Sequence, residues 1–160
     1  MNNAKQEHSK PRVVVDTSVL ISAVLGSSHS APRQILKYLL NGVFIAYSSE
    51  DALSEFYNVL FSKKVSRYFG NQISILSWTF LVVHNSVNLV QPKRKFHICR
   101  DPEDDEFLDI AYDAKAKYII TLDKDLLDLR DNNKEITLLE HKVRILTPRE
   151  FLDLQENNTS

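Results

Sequence analysis

The chain has little cysteine and little glycine, and each shortage excludes a class of protein. Its one cysteine, Cys99, cannot form an intrachain disulfide, which is typical of a protein of the reducing cytoplasm. The three glycines lie far apart, at Gly26, Gly42 and Gly70, so no glycine-rich loop is present to surround the phosphates of a nucleotide. The sequence therefore predicts a cytoplasmic protein that is not a nucleotide-binding enzyme of the glycine-loop type.

Long hydrophobic runs are also absent. No apolar stretch approaches the roughly 18 residues that a membrane span needs. Residues 1–10 are polar and lack the apolar segment of a secretory signal, so we predict a disordered tail there and another at residues 156–160. A length of 160 residues suits one domain, which we place at residues 11–155.

Acidic residues are missing from one long part of the chain and concentrated in the next. After Phe56 no acid occurs before Asp101, although seven bases do. Between Asp101 and Glu135, twelve acids face five bases, which gives a net charge of −7 within a chain whose total is −1. This charge asymmetry is expected of a protein that binds a polyanion next to a cation site. Two ordinary solvated faces would produce it equally well.

Two apolar runs predict strands that are buried on both faces of a parallel sheet, at residues 12–15 and 118–122. We predict further strands at 43–47, 87–90 and 143–146. Helices are expected at 19–25, 30–41, 49–63, 66–83 with a break near Gly70, from about 103 to 114, and after a capping box at 147–150. Strands alternate with helices, so we predict an α/β fold, a three-layer α/β/α sandwich with a central, mostly parallel sheet.

Each of the two buried strands runs into an aspartate, Asp16 and Asp123. Parallel strands end at the same edge of a sheet, where ligands of open α/β sheets bind. Two carboxylates brought together there repel unless a cation neutralises them, and oxygen ligands favour Mg²⁺ or Mn²⁺.

Two helices supply further candidate acids. Asp104 lies in the first turn of its predicted helix, on the apolar stripe, although an acid there is also explained by the helix dipole. Glu55 borders the stripe of the 49–63 helix and, taken alone, is more typical of a solvent edge. Asp125 and Asp128 follow Asp123 closely, and we interpret them as turn or short-helix acids.

The order of these pieces resembles the PIN-domain family, and in particular the PIN-type (VapC-like) toxins of toxin–antitoxin systems. The matching segments cover nearly the whole chain after the tail: residues 13–21, Glu55 with 58–60, 100–108, 121–127 and 145–151. The resemblance places the four acids of the family on Asp16, Glu55, Asp104 and Asp123. It leaves open whether Asp104 or its neighbour Asp105 is the third.

The resemblance implies a metal-dependent endoribonuclease that hydrolyses RNA phosphodiester bonds, with the four acids as catalytic residues and ligands of Mg²⁺ or Mn²⁺. Thr17, Ser18 and Thr121 are implied as supporting hydroxyls, and Ser18 stands where many relatives carry asparagine. Six bases then become candidate contacts to RNA phosphates, although solubility explains them equally well: Lys63, Lys64, Arg67, Lys93, Arg94 and Lys95. The resemblance also implies a homodimer and a small antitoxin partner.

Three other functions are weighed against this one. A PIN-like module that binds RNA or protein without cutting would carry the same acids as structural groups. A phosphatase of the haloacid dehalogenase type needs a second aspartate two residues after the first, and Ser18 occupies that position. A receiver domain would need paired early acids and a late lysine, which the chain lacks.

Overall fold

The structure, a computed structural model, describes residues 9–70 and 72–159. Within that part of the chain a six-stranded sheet has the order β3-β2-β1-β4-β6-β5. All neighbouring strands are parallel except β5, which pairs antiparallel with β6. The strands are β1 Arg12–Val15, β2 Ile45–Ser48, β3 Asn88–Leu89, β4 Tyr118–Ile120, β5 Glu135–Leu138 and β6 His141–Leu146.

Helices cover both faces of this sheet, which confirms the predicted α/β architecture. They are α1 Thr17–Leu25, α2 Ala31–Leu40, α3 Glu50–Leu60, α4 Lys63–Ser66, α5 Ile73–Ser86, α6 Asp105–Asp113, α7 Lys124–Leu127 and α8 Pro148–Thr159. Single 3-10 turns follow α4 at Arg67–Phe69 and precede α6 at Pro102–Asp104. None of the helices in the described ranges combines the length and hydropathy that crossing a bilayer requires.

The alternation of side chains along β1 divides the core into two layers. Val13 and Val15 pack with apolar residues of α1, α2, α5 and α8 on one face. Val14 packs on the other face, with residues of α6 and α7. Strand β1 is thus buried on both faces, as its unbroken run of valines predicts.

Side-chain caps explain where several helices begin. Asp16, Ser30, Ser49 and Asp123 each accept a hydrogen bond from a backbone N–H in the first turn of the following helix. The predicted capping box before α8 is present: Thr147 Oγ1 accepts from the N–H of Glu150, whose carboxylate accepts from the N–H of Thr147. These caps fix the chain direction directly after β1, β4 and β6.

Some elements differ from the sequence-based predictions. Strand β4 ends at Ile120 rather than at residue 122, because the chain turns at Thr121 and leaves Leu122 exposed. The predicted break near Gly70 in the 66–83 segment is confirmed, with a positive φ of 55° at Gly70, but the part before it is a 3-10 turn and α5 continues to Ser86. Strand β5 was not predicted.

The predicted tails have different outcomes. Residues 1–8 of the N-terminal tail, and residue 160 of the C-terminal one, lie outside the described residues. The C-terminal prediction is wrong for residues 156–159, because α8 continues to Thr159. No glycine or proline interrupts α8 after Leu154, and the Thr159 hydroxyl donates back to the carbonyl oxygens of Gln155 and Glu156.

Candidate metal centre

The register of β1 and β4 brings Asp16 beside Thr121. Val15 pairs with Ile120, so the residues that follow each strand lie opposite one another, and the N–H of Asp16 donates to the Ile120 carbonyl oxygen at 3.0 Å. Asp16 is only 3% exposed. A carboxylate buried to this extent requires hydrogen bonds or a cation.

Two hydroxyl groups tie Asp16 to the turn after β4. Thr121 Oγ1 donates to Asp16 Oδ2 at 2.6 Å and accepts the N–H of Asp123 at 2.9 Å. Ser18 Oγ donates to the same carboxylate oxygen at 2.8 Å and accepts the N–H of Leu122 at 3.3 Å. Thr121 and Ser18, both predicted as supporting residues, thus hold Asp16 and Asp123 in a fixed relation.

Asp123 belongs to a group of three carboxylates. Asp104, Asp123 and Asp125 each place an oxygen within 4.8 Å of the other two, which is close enough for one metal ion. Asp104 Oδ2 is buried and has no hydrogen-bond partner among the described residues. An unpartnered buried acceptor beside two further carboxylates fits a divalent cation.

Asp125 was not predicted to be part of the site. It lies in the short helix α7, as interpreted from the sequence, and is nevertheless adjacent to Asp104 and Asp123. Asp123 caps α7, and its Oδ1 accepts the N–H of Asp125 at 2.8 Å. This tight turn places the carboxylates of Asp123 and Asp125 side by side. Two acids spaced two residues apart at the start of a helix were therefore the sequence signal for Asp125.

Glu55 contributes from the other side of Asp16. It lies in α3, half-buried rather than at a solvent edge, and accepts a hydrogen bond from Thr17 Oγ1 at 3.3 Å. Burial, and then the charge of Asp16, raise the pKa of Glu55 to about 6. We call Asp16, Glu55, Asp104, Asp123 and Asp125 the carboxylate cluster.

The pKa values show that the carboxylate cluster is electrostatically strained when no cation is bound. Burial, followed by the charges of Asp123 and Asp16, raises the pKa of Asp104 to about 7. Burial also raises the pKa of Asp16, although the bonds from Thr121 and Ser18 oppose that shift. Because neighbouring carboxylates add to the raised pKa values of Asp104 and Asp16, a divalent cation would bind with relief of repulsion.

Asp105 has a different surrounding from Asp104. Its Oδ1 accepts the N–H groups of Ile98 and Cys99 at 2.9 and 2.8 Å. One turn later Asp109 accepts the N–H of Phe96 at 2.7 Å. Both acids therefore anchor the segment 91–100, which we call the strap, and the geometry places Asp104 rather than Asp105 beside Asp123.

The six predicted RNA-contacting bases fall into two exposed groups. Lys63, Lys64 and Arg67 surround a shallow depression with Tyr68, on α4 and the turn that follows it. The other three lie on the strap: Lys93, Arg94 and Lys95. Lys95 borders a cleft that Glu55 also lines, and its Nζ lies 3.9 Å from Asp109 Oδ2. Whether either group binds RNA stays a prediction.

Arg100, at the end of the strap, is a second residue that the sequence analysis did not assign to the site. Its Nη2 lies 2.6 Å from Asp125 Oδ1 and 2.9 Å from Asp128 Oδ2. Its position as the last base before the acidic part of the chain was the available signal.

Comparison with known proteins identifies the family. The family described as the PIN domain matches residues 12–125. The uncharacterized protein MJ1680 of Methanocaldococcus jannaschii is 37% identical over 150 residues, which is 93% of this chain and 94% of the relative. The crystal structure of PAE2754 from Pyrobaculum aerophilum has a TM-score of 0.57 at 14% identity, covering 98% of this chain and 99% of that one, and shows the same fold. The chain therefore belongs to the PIN-domain family, whose members are generally nucleases and typically use divalent metals.

Proposed function

We propose that the protein is a metal-dependent endoribonuclease that hydrolyses RNA phosphodiester bonds at the carboxylate cluster. The observation that supports this most strongly is the trio Asp104, Asp123 and Asp125, in which Asp104 carries a buried oxygen that no described residue hydrogen-bonds. Three carboxylates in this arrangement favour a hard divalent ion, Mg²⁺ or Mn²⁺.

The residues of the cluster take different roles in this proposal. Asp104, Asp123 and Asp125 would hold the ion, with Asp16 as a direct or water-mediated ligand fixed by its two hydroxyl donors. When bound, the ion supplies an activated water and neutralises charge on the scissile phosphate. Glu55, with a pKa of about 6, accepts a proton of the attacking water near neutral pH.

The exposed bases would contact the RNA strand. Lys63, Lys64 and Arg67 form one surface, and the bases of the strap form another beside the cleft that Glu55 lines. Contacts of this kind give affinity without sequence preference and weaken with salt.

We also propose that the protein is the toxin of a toxin–antitoxin module, acting in the cytoplasm as a homodimer with a small antitoxin partner. The support is the likeness of its segments to PIN-type toxins and the single cysteine, which suits a reducing compartment. A small upstream reading frame with a DNA-binding pattern and an acidic tail would support the toxin role. Gel filtration at the mass of one chain would contradict the dimer.

The decisive experiment compares the purified full chain with Asp16→Asn and Asp113→Asn on RNA with Mn²⁺ or Mg²⁺. Asp113 is a matched control, since it is an exposed aspartate at the end of α6 far along the helix from Asp104. We expect the parent and Asp113→Asn to cleave, EDTA to stop both, and Asp16→Asn to lose activity.

Two results would contradict the proposal. Equal rates for Asp16→Asn and the parent would mean that the site is wrongly assigned. No cleavage by the parent, together with no thermal shift on addition of Mn²⁺, would instead indicate a PIN-like module that binds without cutting.

A further inference from the structure

Arg100 presents an exposed guanidinium directly beside the trio of carboxylates. Its side chain is 68% exposed, and among the described residues only its Nη2 nitrogen has partners, Asp125 and Asp128. A guanidinium carries five N–H donors in a planar fork. Most of its N–H donors therefore face solvent beside the carboxylate cluster.

The backbone on either side of Arg100 is fixed, so only the side chain is free to move. On one side the N–H of Cys99 donates to the buried Asp105 at 2.8 Å. On the other side Asp101 Oδ1 accepts the N–H of Glu103 at 3.0 Å. These bonds hold the Cα atom of Arg100 beside the carboxylate cluster. They do not involve its guanidinium, which is held by the two ion pairs.

Asp125 cannot serve Arg100 and a divalent ion equally well. A cation held by Asp104, Asp123 and Asp125 repels the guanidinium and shares the Asp125 carboxylate with it. Asp128, which is not part of the trio, still offers Arg100 a partner at the rim. Metal binding thus weakens one of the two ion pairs of Arg100 and leaves the other.

We propose that Arg100 is a substrate-binding residue: released from Asp125 by the bound ion, its guanidinium binds a phosphate of the RNA strand lying against the carboxylate cluster. The inference rests on the proposed nuclease function. The planar fork of arginine matches two oxygens of one phosphate, which a lysine ammonium does not. Asp128 retains the side chain at the rim, and the phosphate supplies the negative charge that Asp125 no longer offers.

The test uses the full chain with Arg100→Ala, Arg100→Lys and the control Lys142→Ala. Lys142 is exposed and lies near the start of β6, at the end of the parallel strands opposite to the carboxylate cluster. Two quantities are measured: Mn²⁺ affinity without RNA, and kcat/KM on a single-stranded RNA as a function of salt. A phosphate contact and a purely structural role predict opposite changes in the first quantity.

We expect Arg100→Ala to bind Mn²⁺ about two- to fivefold more tightly, because a competing cation has been removed. Its kcat/KM should fall at least about tenfold, and its salt dependence should lose about 0.7 from the log–log slope, the value for one phosphate contact on a single strand. Arg100→Lys should keep the slope and recover only part of kcat/KM. Lys142→Ala should match the parent in both quantities.

Weaker Mn²⁺ binding by Arg100→Ala would overturn the proposal, since it would mean that Arg100 positions Asp125 for the ion. Unchanged kcat/KM would overturn it as well, while leaving the nuclease function intact. If the parent itself fails to cleave, the nuclease function fails and the phosphate contact fails with it.

Discussion

Two groups of acids meet at the start of α6 and have opposite surroundings. Asp105 and Asp109, on α6, accept backbone N–H groups of the strap. Asp104, one residue earlier, leaves a buried oxygen without a partner among the described residues and lies against Asp123 and Asp125. The strap anchors and the trio therefore differ in the donors around them rather than in residue type or position in the sequence.

This difference shows what separates a structural carboxylate from a metal-binding one. A carboxylate that receives two or three N–H groups is stabilised as an anion within the protein. One that receives none and faces further acids stays costly until a cation arrives. Substitution should consequently have opposite effects on stability: a loss at the anchor Asp105, and a gain at Asp104, where function is also lost.

The largest expected effect is on catalysis. Asp123→Asn should lower kcat/KM by at least about 10³-fold, because it removes one carboxylate charge from the ion and the transition state. The amide oxygen can still accept the N–H of Asp125, so α7 should stay capped and the fold intact. RNA cleavage with Mn²⁺ measures the effect on catalysis. The thermal shift on Mn²⁺ addition measures the effect on the fold and on ion binding. Near-parental cleavage would remove Asp123 from the site.

At the strap the same kind of change should act on stability. Asp105→Ala leaves the N–H groups of Ile98 and Cys99 without their acceptor, and we expect it to lower the free energy of unfolding by about 2–3 kcal/mol. Asp105→Asn keeps an acceptor oxygen and should lose less. Urea unfolding of the metal-free protein measures both. Stability of Asp105→Ala within about 0.5 kcal/mol of the parent would contradict the anchoring role.

Asp104→Asn should raise the free energy of unfolding when no metal is present. Its pKa of about 7 in the folded protein lies above the usual 3.8 of an aspartate, so the folded state holds the proton more tightly and loses stability as pH rises across that interval. At pH 8 the asparagine variant should be more stable than the parent by about 1–2 kcal/mol, allowing for solvent screening. The gain should disappear at pH 4. Equal urea midpoints at pH 8 would show that the trio carries no strain.

The affinity for Mn²⁺ should weaken as pH falls, because protons compete with the ion for carboxylates whose pKa values are raised. Asp104, with a pKa of about 7, must lose its proton before it holds a cation, and so must Asp16, whose pKa burial also raises. Affinity should therefore fall as pH drops from 8 to 6, by at most about tenfold per unit for each proton displaced. Titration calorimetry of the parent and of Asp104→Asn, which should show a flatter profile, measures this. A flat profile for the parent would contradict it.

The sequence predicts the centre of the fold much better than its rim. The run Val13–Val15 and the apolar residues of β4 are unbroken by polar positions, so burial on both faces is encoded locally. Strand β5 has a mixed, half-exposed pattern. It meets β6 through a turn at Leu139 and Glu140, and Leu139 has a positive φ of 55°. Neither residue belongs to the Asn-Gly type that signals a hairpin, so only the pairing itself defines the strand.

For the site, the sequence identifies acids but not their surroundings. Asp16, Asp104 and Asp123 lie near one another, as expected from two strand ends and a helix start. Glu55 interacts with Asp16, but only the family resemblance placed it with the others. The distinction between Asp104 and Asp105 depends on the strap folding back onto α6, which no local pattern encodes. Asp125 and Arg100 were missed for the same reason: their importance comes from a turn and an ion pair that form only in three dimensions.

The bond from Thr121 to Asp16 joins residues 105 positions apart in the chain. During synthesis, β1 and α1 emerge long before β4, and the parallel pairing that aligns Asp16 with Thr121 cannot form until then. A polypeptide still attached to its ribosome, and lacking α7, holds Asp16 without Asp123 or Asp125. Because of this long sequence separation, the growing chain has no assembled carboxylate cluster until β4 and α7 have been synthesised.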